Sequence, residues 1–150
     1  MEENREISEK YAEIGHDLIQ KEPLLDYIRQ SEATIMYLSS DKAKTSKGKL
    51  VLGQCEKIPD KYKWAIPCDF TITIFEPNII NFTDKQLRIL IYHELLHVKI
   101  ELGDDGTEKY STNPHDIEEF RDIIDRYGID WEYPRWEAID DGKETEEGKE

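Results

Sequence analysis

Two histidines four positions apart, His93 and His97, bracket a carboxylate in the run His93-Glu94-Leu95-Leu96-His97. Residues i and i+4 of a helix lie one turn apart on one face. Two imidazoles so placed can both reach one zinc ion, at about 2.0–2.1 Å. Glu94 stands beside the first of them, where a carboxylate can take a proton from the attacking water. The flanking residues Ile89, Leu90, Ile91, Leu95, Leu96, Val98 and Ile100 make this stretch apolar on most sides, the pattern of a buried helix. Burying a lone carboxylate costs several kcal/mol, and each ring needs hydrogen-bond partners. A metal ion accounts for all three groups together, so zinc is the expected cofactor.

A catalytic zinc takes three protein ligands and keeps one position open. The pattern HExxHxxGxxH would put Gly at 100 and His at 103, but the chain has Ile100 and Gly103, which excludes the metzincin class. A glutamate from a downstream helix is the gluzincin solution. Glu118 and Glu119 stand at suitable positions, without the NExxxD arrangement that accompanies such a ligand. His115, 18 residues after His97, is the favoured third ligand. It leaves only His16 of the four histidines outside the site. Glu118, Glu119 and Asp116 are otherwise first-turn acids favoured by the helix dipole, and Glu119 or Asp116 could orient a ligand. An upstream cysteine ligand, as in peptide deformylases, is disfavoured because the Gly- and Gln-containing motif of that family is absent. Tyr110 is a weak candidate to stabilise the oxyanion.

The elements that must position these groups follow from periodicity and punctuation. Residues 4–21 carry Ile7, Tyr11, Ile14, Leu18 and Ile19 at helical spacing. Pro23 opens a second short helix through Arg29. Strands are expected at 33–38, at 49–53 with a hairpin or bulge beyond Gly53, and at 70–75. Residues 84–102 form the clearest helix, with Thr83 and Gln86 as a capping box and Gly103 as its stop. A polar loop over 104–112 follows. Asn113 and Pro114 then open a last helix to about Tyr127, stopped by Gly128. Trp131, Tyr133 and Trp136 should pack back on the body.

At these residues the chain resembles a known group. Pro77-Asn78-Ile79 to His97, the block Asn113-Pro114-His115-Asp116-Ile117-Glu118-Glu119-Phe120, and Tyr127-Gly128 resemble the family of phage metallopeptidases, over roughly residues 30 to 131. The second block also resembles SprT-like zincins, whose third histidine stands in H-G-x-x-F. Here Asp116 replaces the Gly, and one more residue precedes Phe120. The resemblance implies a zincin-like fold and peptide-bond hydrolysis.

The expected fold is α+β: a small, mostly antiparallel sheet packed on the N-terminal helix and the HExxH helix. Residues 1–136 form one domain, and 137–150, with seven acids and two lysines, form an acidic tail too polar to pack. An edge strand beside a zincin site can pair with an extended substrate; 70–75, directly before the helix, is either that strand or simply a strand of the core.

Charge and composition bound the partners. The net charge is −14, which argues against nucleic acid, whose binding needs lysines and arginines to neutralise phosphates. Lys42, Lys44, Lys47 and Lys49 form a local exception, read as a solvated loop. No apolar run reaches the roughly 18 residues of a membrane span. Met1 to Glu6 is polar and acidic rather than basic then apolar. Cys55 and Cys68 form no CxxC pair and are expected reduced. A cytoplasmic zinc peptidase acting on protein or peptide substrates is the resulting expectation. The rival is a catalytically inactive, zinc-stabilised binding module.

Overall fold

The structure is a computed structural model that describes residues 3–113, 123, 126–128 and 131–132. It has the α+β architecture expected, with a four-stranded, mostly antiparallel sheet under two helices.

The N-terminal segment divides in two. Arg5–Ile7 forms β1, and α1 begins only at Glu9 and runs to Lys21. The helix expected from residue 4 is corrected here. Ser8 caps it by accepting from the Tyr11 amide at 3.1 Å. Ile7, counted in the helical stripe by spacing, is 68% exposed on β1. Tyr11, Gly15 and Leu18 make the buried face of α1. A Cβ on Gly15 would stand 2.3 Å from the Tyr37 ring, so glycine lets α1 lie close on the sheet.

Pro23–Leu25 makes one 3-10 turn, and Asp26–Arg29 continues as the short helix α2. Strand β2, Ile35–Ser40, pairs antiparallel with β1. Thr45–Ser46 (β3) and Lys49–Leu50 (β4) form a tight hairpin. Its corner residues Lys47 and Gly48 have φ of 52° and 79°, the doubly positive turn that suits strand twist. Gly53–Lys57 is a separate strand, β5. The single strand expected over 49–53 is therefore broken at Val51 and Leu52.

Strand β6, Phe70–Phe75, matches its expected span. It is not an edge. It pairs parallel with β2 and antiparallel with β5, in the order β1-β2-β6-β5. All six residues are buried, so of its two readings the core strand holds and the substrate-pairing edge does not. Phe70, Ile72 and Ile74 join the main core. Phe75 lies under the Arg5 guanidinium and the Lys44 ammonium, 5.8 and 5.4 Å from its ring centre. Among the described residues the outer strand on this side of the sheet is β5, half-buried along its length.

Helix α3, Asp84–Leu95, has the expected capping box. Thr83 Oγ1 accepts from the Gln86 amide at 3.1 Å, and Gln86 Oε1 from the Thr83 amide at 2.8 Å. Leu87, Ile89, Leu90, Ile91 and Leu95 are buried, worth roughly 1.5–3 kcal/mol each against exposure. The helix stops eight residues before Gly103. Val98–Leu102 is strand β7, and Glu108–Thr112, expected as loop, is strand β8 of the same antiparallel hairpin. The carbonyls that a further helical turn would use are taken by other donors. Tyr27 Oη donates to Val98 O, the Asn113 amide to His97 O at 2.6 Å, and Asn113 Nδ2 to Leu96 O at 3.5 Å. The hairpin corner closes through Gly103 N to Thr107 O at 2.7 Å, with Gly106 at φ 85°.

Trp131 packs against the body as expected, 2% exposed, its carbonyl accepting from Gln86 Nε2 at 2.9 Å. Gly128 has φ 83°, the left-handed conformation of a helix stop. Tyr133, Trp136 and the tail 137–150 lie outside the described residues.

Candidate metal centre

His93 and Glu94 stand in the last turn of α3, and His97 stands two residues past its end. The i, i+4 pairing survives the helix's early stop, because the Leu96 and His97 amides still bond back to Tyr92 O and Glu94 O, at 3.0 and 3.1 Å. The two imidazole centroids are 5.2 Å apart. Both rings are half-buried, while Glu94 is only 4% exposed.

The hairpin of β7 and β8 orients the second ring. It returns the chain so that Asn113 meets His97, and His97 Nδ1 lies 2.6 Å from Asn113 O. A carbonyl only accepts, so Nδ1 carries the proton and donates. Nε2 is then left with its lone pair, the form an imidazole needs to ligate a metal. Two neighbouring imidazoles, one set in the ligating tautomer, fit a metal ion. The Trp131 ring centre lies 6.3 Å from that of His93 and walls one side of the pair.

Glu94 meets the sheet at Gly53. A Cβ on Gly53 would stand 3.0 Å from Glu94 Oε2 and 3.2 Å from its Cγ. The first residue of β5 is thus bare where the carboxylate packs. Gly53 and Cys55 face Ile74 and Ile72 across the β5–β6 ladder, on the helix side of the sheet. Burial pushes the Cys55 thiol well above its usual range, and the charges of Glu94 and Glu56 add to the shift. Cys55 and Cys68 are both free thiols, as expected. Among the described residues no three His, Cys, Asp or Glu side chains group as a metal site, so neither cysteine completes the histidine pair.

The other expected site residues divide. His115, Glu118, Glu119 and Asp116 lie outside the described residues. Tyr110 sits on β8 with its hydroxyl donating to Glu108 at 2.5 Å and its ring edge-on to Phe70 at 5.6 Å. Those contacts make it an anchor of the hairpin against the sheet. His16 is exposed on α1, its ring 6.1 Å from Tyr37. Sequence reasoning missed Gly53 and took Asn113 only as a cap. A glycine at a strand start does signal a close approach. Val98, Ile100 and Leu102 alternate with Lys99 and Glu101, a two-residue period that marks the strand leading to Asn113.

Compared with known proteins, the chain matches over residues 3–139 the model of one family, described as "Putative phage metallopeptidase". No curated protein and no solved structure matches it. No described helix is long and apolar enough to cross a membrane.

Proposed function

The chain belongs to this phage metallopeptidase family, and from that membership we propose that it is a zinc-dependent peptidase with Glu94 as general base. The family implies a metal cofactor and protein or peptide substrates. His93 and His97 would hold the zinc, with His115 as the third ligand. The observation that carries this reading is the half-buried imidazole pair 5.2 Å apart, with a buried glutamate beside it.

Support for His115 comes from its place in the sequence. Asn113 is bonded to His97 through its amide and its carbonyl. His115 stands two residues after Asn113 in the sequence. Glu118 and Glu119 remain the alternatives.

Zinc, when bound, supplies a Lewis acid that polarises the scissile carbonyl and acidifies a water. The chain's own groups do the rest. Glu94 takes the proton of the attacking water and passes it to the leaving amine. Its burial against Gly53 keeps bulk water from the carboxylate and restricts its rotation. The Asn113 carbonyl keeps His97 in one tautomer and one ring orientation. The outer edge of β5, with no further strand beside it among the described residues, offers backbone groups to an extended peptide.

The test is Glu94→Gln, assayed for hydrolysis of an unstructured protein substrate and for zinc by elemental analysis. Zinc should stay at the wild-type level while hydrolysis falls about 10²–10⁴-fold. Wild-type turnover by Glu94→Gln would overturn the mechanism. Zinc binding by a wild-type protein that hydrolyses nothing would favour the inactive binding module.

A further inference from the structure

Residues 42–63 hold seven lysines against two acids, in a chain with 34 acids and 20 basic residues. This basic stretch contains the whole of β5, the strand whose first residue touches Glu94. Resting on the peptidase reading, we propose that the outer edge of β5, which pairs with no further strand among the described residues, docks the substrate as an extended acidic peptide, selected by lysines at both ends of the strand.

At the Gly53 end stands the β3–β4 hairpin, with Lys47 and Lys49 exposed. Its position is set. Lys44 Nζ donates to Gln54 Oε1 at 2.7 Å, and Asn78 Nδ2 donates to Lys44 O and Val51 O at 2.9 and 2.8 Å. At the other end are Lys57, the last residue of β5, and Lys61 in the Asp60–Tyr62 turn. Lys47, Lys49, Lys57 and Lys61 make no ion pair among the described residues. In a chain with a net charge of −14, four lysines outside any ion pair about one strand make this segment locally positive. Trp64, 86% exposed just beyond Lys61, offers an apolar anchor in the same segment.

A polyanion other than a peptide would meet the same lysines. The strand edge favours a peptide, because its row of amides and carbonyls pairs with another backbone and not with a sugar-phosphate chain. The general negative charge then works as selection. It disfavours acidic segments elsewhere on the protein relative to the lysine-flanked edge that leads to Glu94.

The experiment uses two fluorogenic peptides with one central sequence, flanked by glutamates or by lysines. Binding is measured by anisotropy on full-length Glu94→Gln, and hydrolysis on the wild type. The Glu-flanked peptide should bind about tenfold more tightly at low salt, with the preference eroding at about 0.5 M salt. Reversing Lys47, Lys49, Lys57 and Lys61 to Glu should invert it, with circular dichroism confirming an intact fold. Equal binding of the two peptides, or a preference untouched by the reversal, would overturn the proposal. So would a single-stranded oligonucleotide of equal charge binding more tightly than the acidic peptide. If the wild type cleaves both peptides equally, docking fails and the peptidase reading stands. If the preference holds but neither peptide is cleaved, the peptidase reading fails and the docking surface stands.

Discussion

His97 Nδ1 lies 2.6 Å from the main-chain oxygen of Asn113, a residue 16 positions along the chain. The Asn113 amide returns a bond to His97 O at the same distance. These two residues therefore hold each other through backbone groups, and the β7–β8 hairpin exists between them. The second ring of the histidine pair is oriented by a loop closure rather than by its own helix.

Removing the Asn113 amide tests that closure. Asn113→Pro should lower zinc affinity about 10- to 100-fold and leave the helical circular dichroism unchanged. Asn113→Ala keeps both backbone bonds and loses only the long Nδ2 contacts of 3.4 and 3.5 Å, so it should bind zinc within about threefold of wild type. Zinc competition with a chromophoric chelator reads both. Equal affinities for the two variants would show that the backbone pair does not orient His97.

Gly53 has no side chain where the Glu94 carboxylate packs. Gly53→Ala places a Cβ 3.0 Å from Oε2, and the carboxylate must shift. Hydrolysis should fall about tenfold or more, in kcat rather than KM, while zinc content stays at the wild-type level. Unchanged kcat would remove Gly53 from the positioning of Glu94.

The third ligand is open to direct measurement. His115→Ala should lose most of its zinc at a fixed chelator concentration, and Glu118→Ala and Glu119→Ala should keep theirs. Retention by His115→Ala with loss in either glutamate variant would transfer the role. Metal binds only the folded site, so chelation of the wild type should also lower Tm, and zinc should restore it.

Asp69 predicts part of the acid sensitivity. Its burial alone would raise its pKa. The Lys63 ammonium at 2.5 Å and hydrogen bonds from Thr34 outweigh that and hold it below the usual 3.8. A depressed folded pKa contributes stability above the unfolded value and loses it as pH falls through the folded value. Asp69→Asn should thus lower Tm at pH 7, and the gap from wild type should narrow as pH falls below about 4. Thermal melts from neutral pH to pH 3 measure it; a gap independent of pH would contradict the pairing.

One more substitution probes the core. Gly15→Ala drives a methyl group into the Tyr37 ring, 2.3 Å away. Overpacking of this kind costs typically 1–3 kcal/mol, so denaturant unfolding should show a loss of that order. A neutral effect would mean that α1 can shift off the sheet without cost.

Local chemistry carries local information, and that much was legible in the chain. The spacing of His93, Glu94 and His97 places three groups within one helical turn. Thr83 and Gln86 start α3 by bonding to each other's backbone, and the β-branched run Phe70–Phe75 makes a strand anywhere. Val98, Ile100 and Leu102 fit a helical stripe as well as a strand, so periodicity alone carries the expected helix on to residue 102, past its end at Leu95. The choice was made by Tyr27, Asn113 and β8, which take the carbonyls and strand edge of that segment from elsewhere in the chain. The order of strands was equally remote from local pattern. Only pairing shows that Phe70–Phe75 lies inside the sheet and that Gly53–Lys57 forms its edge beside Glu94. Hydrogen bonds and side-chain contacts between residues far apart in sequence carry no signature in either segment, and at this site they decide which edge faces the chemistry.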